Sequence, residues 1–194
     1  MLKKITIVLI ILMVLMLLFL GIVFLLRPTK PLTPSKPETK ISSPQSKSAI
    51  LSLSSPKINY QLGETLPLII NLDSKGLMVD GVDVLIIYNP SYLDPQFLTD
   101  KNPLDTTESV FAVFPLVKID EAIGQIKFSA LSSPGQSFVG NGQVAKLQFK
   151  ALRQGKTSLE IKFKPGLTND SNVALAGKGK DVLGKVKGLK IFIQ

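Results

Sequence analysis

AKLQFKALRQGKTSLEIKFK, Ala145 to Lys164, contains two short runs in which every second residue is apolar. In the first, Ala145, Leu147 and Phe149 alternate with Lys146, Gln148 and Lys150. In the second, Leu159, Ile161 and Phe163 alternate with Glu160, Lys162 and Lys164. Successive side chains of a strand point to opposite faces, so each run buries one face and solvates the other. A helix would need apolar residues spaced by three and four, and no comparable stripe occurs here. The alternation continues outward in both directions, in AILSLS from Ala49, TLPLIINL from Thr65, VFAVFPLVKI from Val110, GQIKFSAL from Gly124, SNVAL from Ser171 and GLKIFI from Gly188. Clusters of Gly, Pro, Asn and Asp separate these runs. The pattern predicts an all-β domain over residues 49–194, an antiparallel β-sandwich of about nine strands with jelly-roll or Greek-key connections. SYLDPQF, Ser91 to Phe97, leaves room for a short helical turn.

Upstream of residue 49 the character changes. From Ile5 to Leu26 the chain carries no charge, and as a helix this segment would reach about 33 Å, enough to cross a hydrocarbon core of about 30 Å. A cleaved secretory signal has a shorter apolar region, roughly 7 to 15 residues, and ends in a small-x-small site, whereas this segment ends in LLRPTK. The expectation is an uncleaved transmembrane helix over residues 5–26 behind a cytoplasmic tail of residues 1–4. Lys3 and Lys4 precede it and Arg27, Lys30, Lys36 and Lys40 follow it, so basic-residue bias alone does not choose the orientation. Residues 27–48, rich in Pro, Ser, Thr and Lys, bury nothing and read as a semi-extended linker reaching on the order of 65 Å. A stalk suits a domain lifted off a surface, which favours a single-pass cell-membrane protein with its C-terminal domain extracytoplasmic.

The formal charge of +9 belongs mostly to the attachment. Residues 1–48 hold seven Lys and Arg against one acid, leaving sixteen against thirteen, or +3, for residues 49–194. The one local excess, Lys178, Lys180, Lys185, Lys187 and Lys190 around Asp181, has no interleaved aromatics for base stacking and reads as a solvated face, so no nucleic acid is expected. The chain has no His and no Cys, which excludes Ser-His-Asp and Cys-His nucleophiles, the usual zinc sites and disulfides. A domain of roughly 146 residues buries about 68 to 70% of its unfolded surface and needs no bridges. Paired carboxylates remain open for catalysis, but most acids stand in turn sequences such as NLDSKG and TNDSN, where Asp is favoured for local hydrogen bonds. The loop TDKNPLD matches no EF-hand spacing. No catalytic residue, metal ligand or cofactor is expected.

VDGVDVLIIYNPSYLDP, Val79 to Pro95, sets an aspartate inside an otherwise apolar strand and stops that strand at Tyr-Asn-Pro. Val82, Val84, Ile86 and Tyr88 share one side, with Asp83, Leu85 and Ile87 on the other. A two-layer fold buries one side fully, and burying an unpaired carboxylate is costly, so the Asp83 side is expected to face outward with Leu85 and Ile87 exposed. Such a surface is either a contact patch or is covered by a loop or by the linker.

Four segments taken together, YQLGETLPLIINLDSKGLMVDGVDVLIIYNPSYLD, IGQIKFSAL, GQVAKLQFKALRQGKTSLEI and SNVALAGKGKDVLGKVKGLKIFI, resemble a cohesin domain over nearly all of residues 49–194. The resemblance implies a nine-stranded jelly roll that captures dockerin modules and so fixes polysaccharide-degrading enzymes to a scaffold or cell surface. In the family the strand leading to Tyr-Asp-Pro carries an Asn and an Asp, two positions apart, on the face that meets dockerin. Asp83 matches the Asp, while Gly81 stands where the Asn would be and Asn89 replaces the Asp before Pro90. The resemblance thus implies partner binding at Asp83, Leu85, Ile87 and Gly81, without the Asn side chain's hydrogen bonds.

Three function classes follow. The first is a receptor for a dockerin-like or other protein partner. The second is a carbohydrate-binding module for a polysaccharide, weakened by the absence of Trp and by only three Tyr. The third is a structural surface or adhesion domain.

Overall fold

The computed structural model describes residues 48–98 and 102–194. The expected tail, transmembrane helix and nearly all of the linker lie outside the described residues. Among the described residues no helix is long and apolar enough to cross a membrane. They form twelve strands: β1 (Ala49–Ser54), β2 (Asn59–Tyr60), β3 (Thr65–Asp73), β4 (Val79–Tyr88), β5 (Leu93–Gln96), β6 (Val113–Asp120), β7 (Gln125–Leu131), β8 (Asn141–Ala151), β9 (Gly155–Ile161), β10 (Asn172–Leu175), β11 (Leu183–Lys187) and β12 (Leu189–Ile193). A five-stranded sheet has the order β11-β1-β3-β8-β5. A seven-stranded sheet has the order β2-β12-β9-β4-β7-β6, with β10 also paired to β4.

The alternating runs become strands with the faces the pattern predicts. Leu66, Leu68, Ile70, Leu147 and Phe149 of one sheet, and Val84, Ile86, Ile126, Phe128 and Leu159 of the other, are wholly removed from solvent. Each such side chain contributes roughly 1.5–3 kcal/mol of burial. Tyr88 and Phe149 join the layers with an edge-on contact, ring centroids 5.1 Å apart. Among the described residues this core draws buried side chains from both sheets, from Ala49 to Ile193.

The expectation of about nine antiparallel strands is corrected in two respects. β2 and β5 are too short to show alternation, and β11, LGKVK, is masked by its glycine and lysines. β11 also runs parallel to β1, and β12 runs parallel to β2, pairings that no adjacent hairpin announces. In SYLDPQF, the Leu93 amide reaches back to the Asn89 carbonyl at 3.1 Å and the Ser91 amide donates to Asn89 Oδ1 at 2.9 Å. One turn closes there before β5 begins, and Pro95 is tolerated because β5 is an edge strand. VFAVFPLVKI yields a strand only from Val113, with a register shift between Val113 and Leu116 that brackets Pro115.

β9 and β10 occupy the same side of β4. β9 pairs with Ile86 to Tyr88, and β10 with Val79 to Asp83. They act as two halves of one strand, interrupted by the excursion from Lys162 to Ser171. The Ser171 amide bonds the Lys162 carbonyl at 3.0 Å and closes the base of that loop.

Candidate protein-binding face

The outward surface of the seven-stranded sheet is a grid whose rows follow from strand register. Nearest the start of β4, Ala174, Gly81, Leu131 and Val113 lie side by side on β10, β4, β7 and β6. The next row is Asn172, Asp83, Ser129 and Leu116. Leu85, Lys127 and Lys118 follow, and then Glu160, Ile87, Gln125 and Asp120. Alternation brings Gly81, Asp83, Leu85 and Ile87 to this one face, because Val82, Val84, Ile86 and Tyr88 turn into the core.

Their exposure differs from the expectation. Leu85, expected to be exposed, retains only 6% of its accessible surface. It stands at the gap between β9 and β10: its amide donates to Ser171 Oγ at 2.9 Å and its carbonyl accepts from the Lys162 amide at 2.8 Å. The hydroxyl of fully buried Ser171 thus supplies the bond that a continuous strand would have made. Leu85 therefore acts as a small secondary core on the outer face. Ile87 and Asp83 are half-buried. Asp83 accepts a hydrogen bond from Ser129 Oγ across the strands, which satisfies one carboxylate oxygen within the protein.

Gly81 is buried, and a Cβ there would stand 2.6 Å from Leu131 Cδ2 and 2.9 Å from the Ala130 carbonyl oxygen. The leucine side chain thus lies against the position that the resemblance assigns to an asparagine. Leu131 and Val113, direct cross-strand partners, keep 43% and 45% of their surface exposed. These two, with Lys118 and Lys127, are the face residues that reading β4 alone misses. The signal was present in GQIKFSAL, whose alternate residues Lys127, Ser129 and Leu131 fall opposite the buried set, but only the β4–β7 register brings them beside Asp83.

The carboxylates hold the scaffold. Asp80 accepts from Ser137 Oγ at 2.6 Å and the Gly177 amide at 2.8 Å, bonds that keep its pKa below the usual carboxylate value. Asp181 Oδ1 accepts the Val173 and Leu183 amides, and Asp170 Oδ2 the Lys164 amide. Asp105 caps its own turn through Thr107. Among the described residues no three acids gather as metal ligands. The face thus carries one apolar row, Ala174, Gly81, Leu131 and Val113, beside rows in which polar and apolar side chains are mixed.

No family model and no curated protein matches the chain. Solved structures do. A type II cohesin domain from the cellulosome of Acetivibrio cellulolyticus is 15% identical, with a TM-score of 0.57 over 74% of this chain and 95% of that one. The mutant type II cohesin–X-dockerin complex of the same organism gives 14% identity and a TM-score of 0.60 over 75% and 99%. A cohesin module from a Clostridium perfringens family 33 glycoside hydrolase gives 14% and 0.58 over 77% and 98%. At these identities the likeness is one of fold, and the sandwich has the cohesin fold.

Proposed function

We propose that a sandwich with the cohesin fold, open on the outer face of its seven-stranded sheet, serves this protein as a receptor for a dockerin-type protein partner and not as a catalyst. The observation that carries the reading is that open face, with half-buried Asp83 and Ile87 and exposed Leu131 and Val113 side by side. Structurally similar cohesins have been crystallised with dockerins from A. cellulolyticus and in the CaDoc0917–CaCohA2 pair. The carbohydrate reading gains little, because the exposed rings among the described residues, Phe97 just after β5 of one sheet and Phe192 on β12 of the other, do not share a face that could serve as a platform. The uncharged segment from Ile5 to Leu26 and its Pro-rich linker support a membrane-anchored, extracytoplasmic setting. There the captured partner would be held at the cell surface, in a role suited to polysaccharide degradation.

The test is titration of the sandwich domain against a panel of dockerin modules that includes the A. cellulolyticus X-dockerin. At least one module is expected to bind more tightly than about 1 μM. A panel without binders, together with retention of the domain on a polysaccharide column, would refute the receptor reading. For the anchor, the full chain should stay with the membrane fraction in alkaline carbonate, and a mature N-terminus beyond residue 26 would contradict it.

A further inference from the structure

Lys118 of β6 and Lys127 of β7 are direct cross-strand partners on the outer face, and Lys127 stands opposite Leu85 of β4 at the centre of the sheet. Directly opposed residues carry their Cβ atoms about 4.5–5.5 Å apart, where like charges repel and weaken the sheet. Neither ammonium has an ion-pair partner among the described residues, whose pairs are Lys57–Glu64, Lys75–Asp73 and Lys146–Asp105. The neighbouring acids have other tasks. Asp83, diagonal to Lys127, accepts from Ser129, and Asp120, two residues beyond Lys118, accepts the Ile123 amide at 3.3 Å in the β6–β7 turn. The inward-facing pair Val117 and Phe128 already holds these two strands to the core, so the lysines are not needed for packing.

We propose that Lys118 and Lys127 receive a carboxylate of the bound partner between them, so that the partner presents an acidic surface to this face. The proposal rests on the receptor reading above and adds the sign of the partner's charge. A carboxylate has two oxygens and accepts from both ammonium groups at once, relieving the repulsion that the empty face carries. Half-buried Leu116 and Ile87 flank the pair with apolar surface, which limits the access of water to a contact made there. Asp83, one row away, repels an acid placed out of register and so selects alignment as well as charge.

The probe is a pair of soluble helical peptides, one with glutamates spaced by three and four residues along one face and one with glutamines at those positions, titrated into the isotopically labelled sandwich domain. The glutamate peptide should move the amide resonances of Leu85, Leu116, Lys118, Lys127 and Ser129 and bind at least about tenfold more tightly than its glutamine counterpart. Added salt should erode the difference, and the double substitution Lys118→Gln/Lys127→Gln should abolish it. Equal binding of the two peptides, or resonance shifts confined to Lys178 and Lys180, would overturn the proposal. A dockerin from the panel that binds this face with undiminished affinity in the double variant overturns the carboxylate contact and leaves the receptor reading standing. A failed panel beside a discriminating peptide pair does the reverse.

Discussion

The two outer faces of the sandwich treat their polar groups differently. On the five-stranded sheet, Asn71 donates to Ser54 Oγ at 2.9 Å, Lys75 pairs with Asp73 at 2.5 Å, and Lys146 lies 3.9 Å from Asp105. Gln96 likewise donates to Asp94 Oδ2 at 3.0 Å. These groups are paired locally, while Lys185 and Lys187 of β11 have no ion pair and the buried Gln143 Nε2 no hydrogen bond among the described residues. On the seven-stranded sheet Asp83 and Ser129 bond to each other, while Lys118 and Lys127 stand opposed with no ion-pair partner among the described residues, one row beyond them and two from the exposed Leu131–Val113 pair. What distinguishes the second face is a directly opposed pair of like charges beside an exposed apolar row.

The largest expected effect breaks the simple picture of the second face as all contact. Leu85→Ala should cost about 2–5 kcal/mol in urea unfolding of the sandwich domain, because the side chain is buried at the strand gap. A change below about 0.5 kcal/mol would mean that Leu85 is a surface residue after all. Gly81→Asn, which restores the side chain that the resemblance expects, should destabilise by about 1–3 kcal/mol, because the new Cβ meets Leu131 and the Ala130 carbonyl. Combining it with Leu131→Ala should recover part of that loss. Full additivity of the two substitutions would show that they do not collide.

A smaller effect concerns the interior between the faces. Burial pushes the Tyr88 phenol up to about 12, with Glu121, Asp94 and Asp120 adding to the shift. The phenol is therefore neutral in the folded state at a pH where the unfolded chain, near 10, has begun to ionise. Its contribution to stability is complete below pH 10 and is lost as the pH rises towards 12. Tyr88→Phe should flatten that alkaline decline without destabilising the domain at neutral pH, since the hydroxyl has no partner within the described structure. An unchanged alkaline slope would assign the titration elsewhere. The smallest effect is the control: Lys185→Glu with Lys187→Glu, on the five-stranded sheet, should leave binding of any partner within twofold by titration calorimetry. A tenfold loss would erase the distinction between the faces.

Much of the architecture was legible because alternation is a local property. AKLQFK and SLEIKFK announce their buried faces without knowledge of any neighbour, and β4 declares Val82, Val84, Ile86 and Tyr88 inward in the same way. Asp83 could be placed on the outer face by the cost of burying its charge. The burial of Leu85 could not be foreseen, because it depends on where β9 stops and β10 resumes, some 80 residues downstream. The reason for Gly81 was equally hidden, since it lies in Leu131 of a strand paired only on folding. Register between distant strands is a tertiary fact, and it decides which outward residues become neighbours.

β1 enters the sandwich at Ala49, opposite Leu183, with Ile50 opposite Asp73, whereas β12 ends at Ile193, beside Tyr60 and Gly155 at the other end. Tension applied between residue 48 and the C-terminus therefore runs along the strands. β1 is held by β3 on one side and β11 on the other, so such a load shears both ladders at once instead of peeling bonds away singly. Pulling from these two points in a force spectrometer should require a greater rupture force than pulling β10 sideways off β4, and equal forces would show that β1 is no clamp.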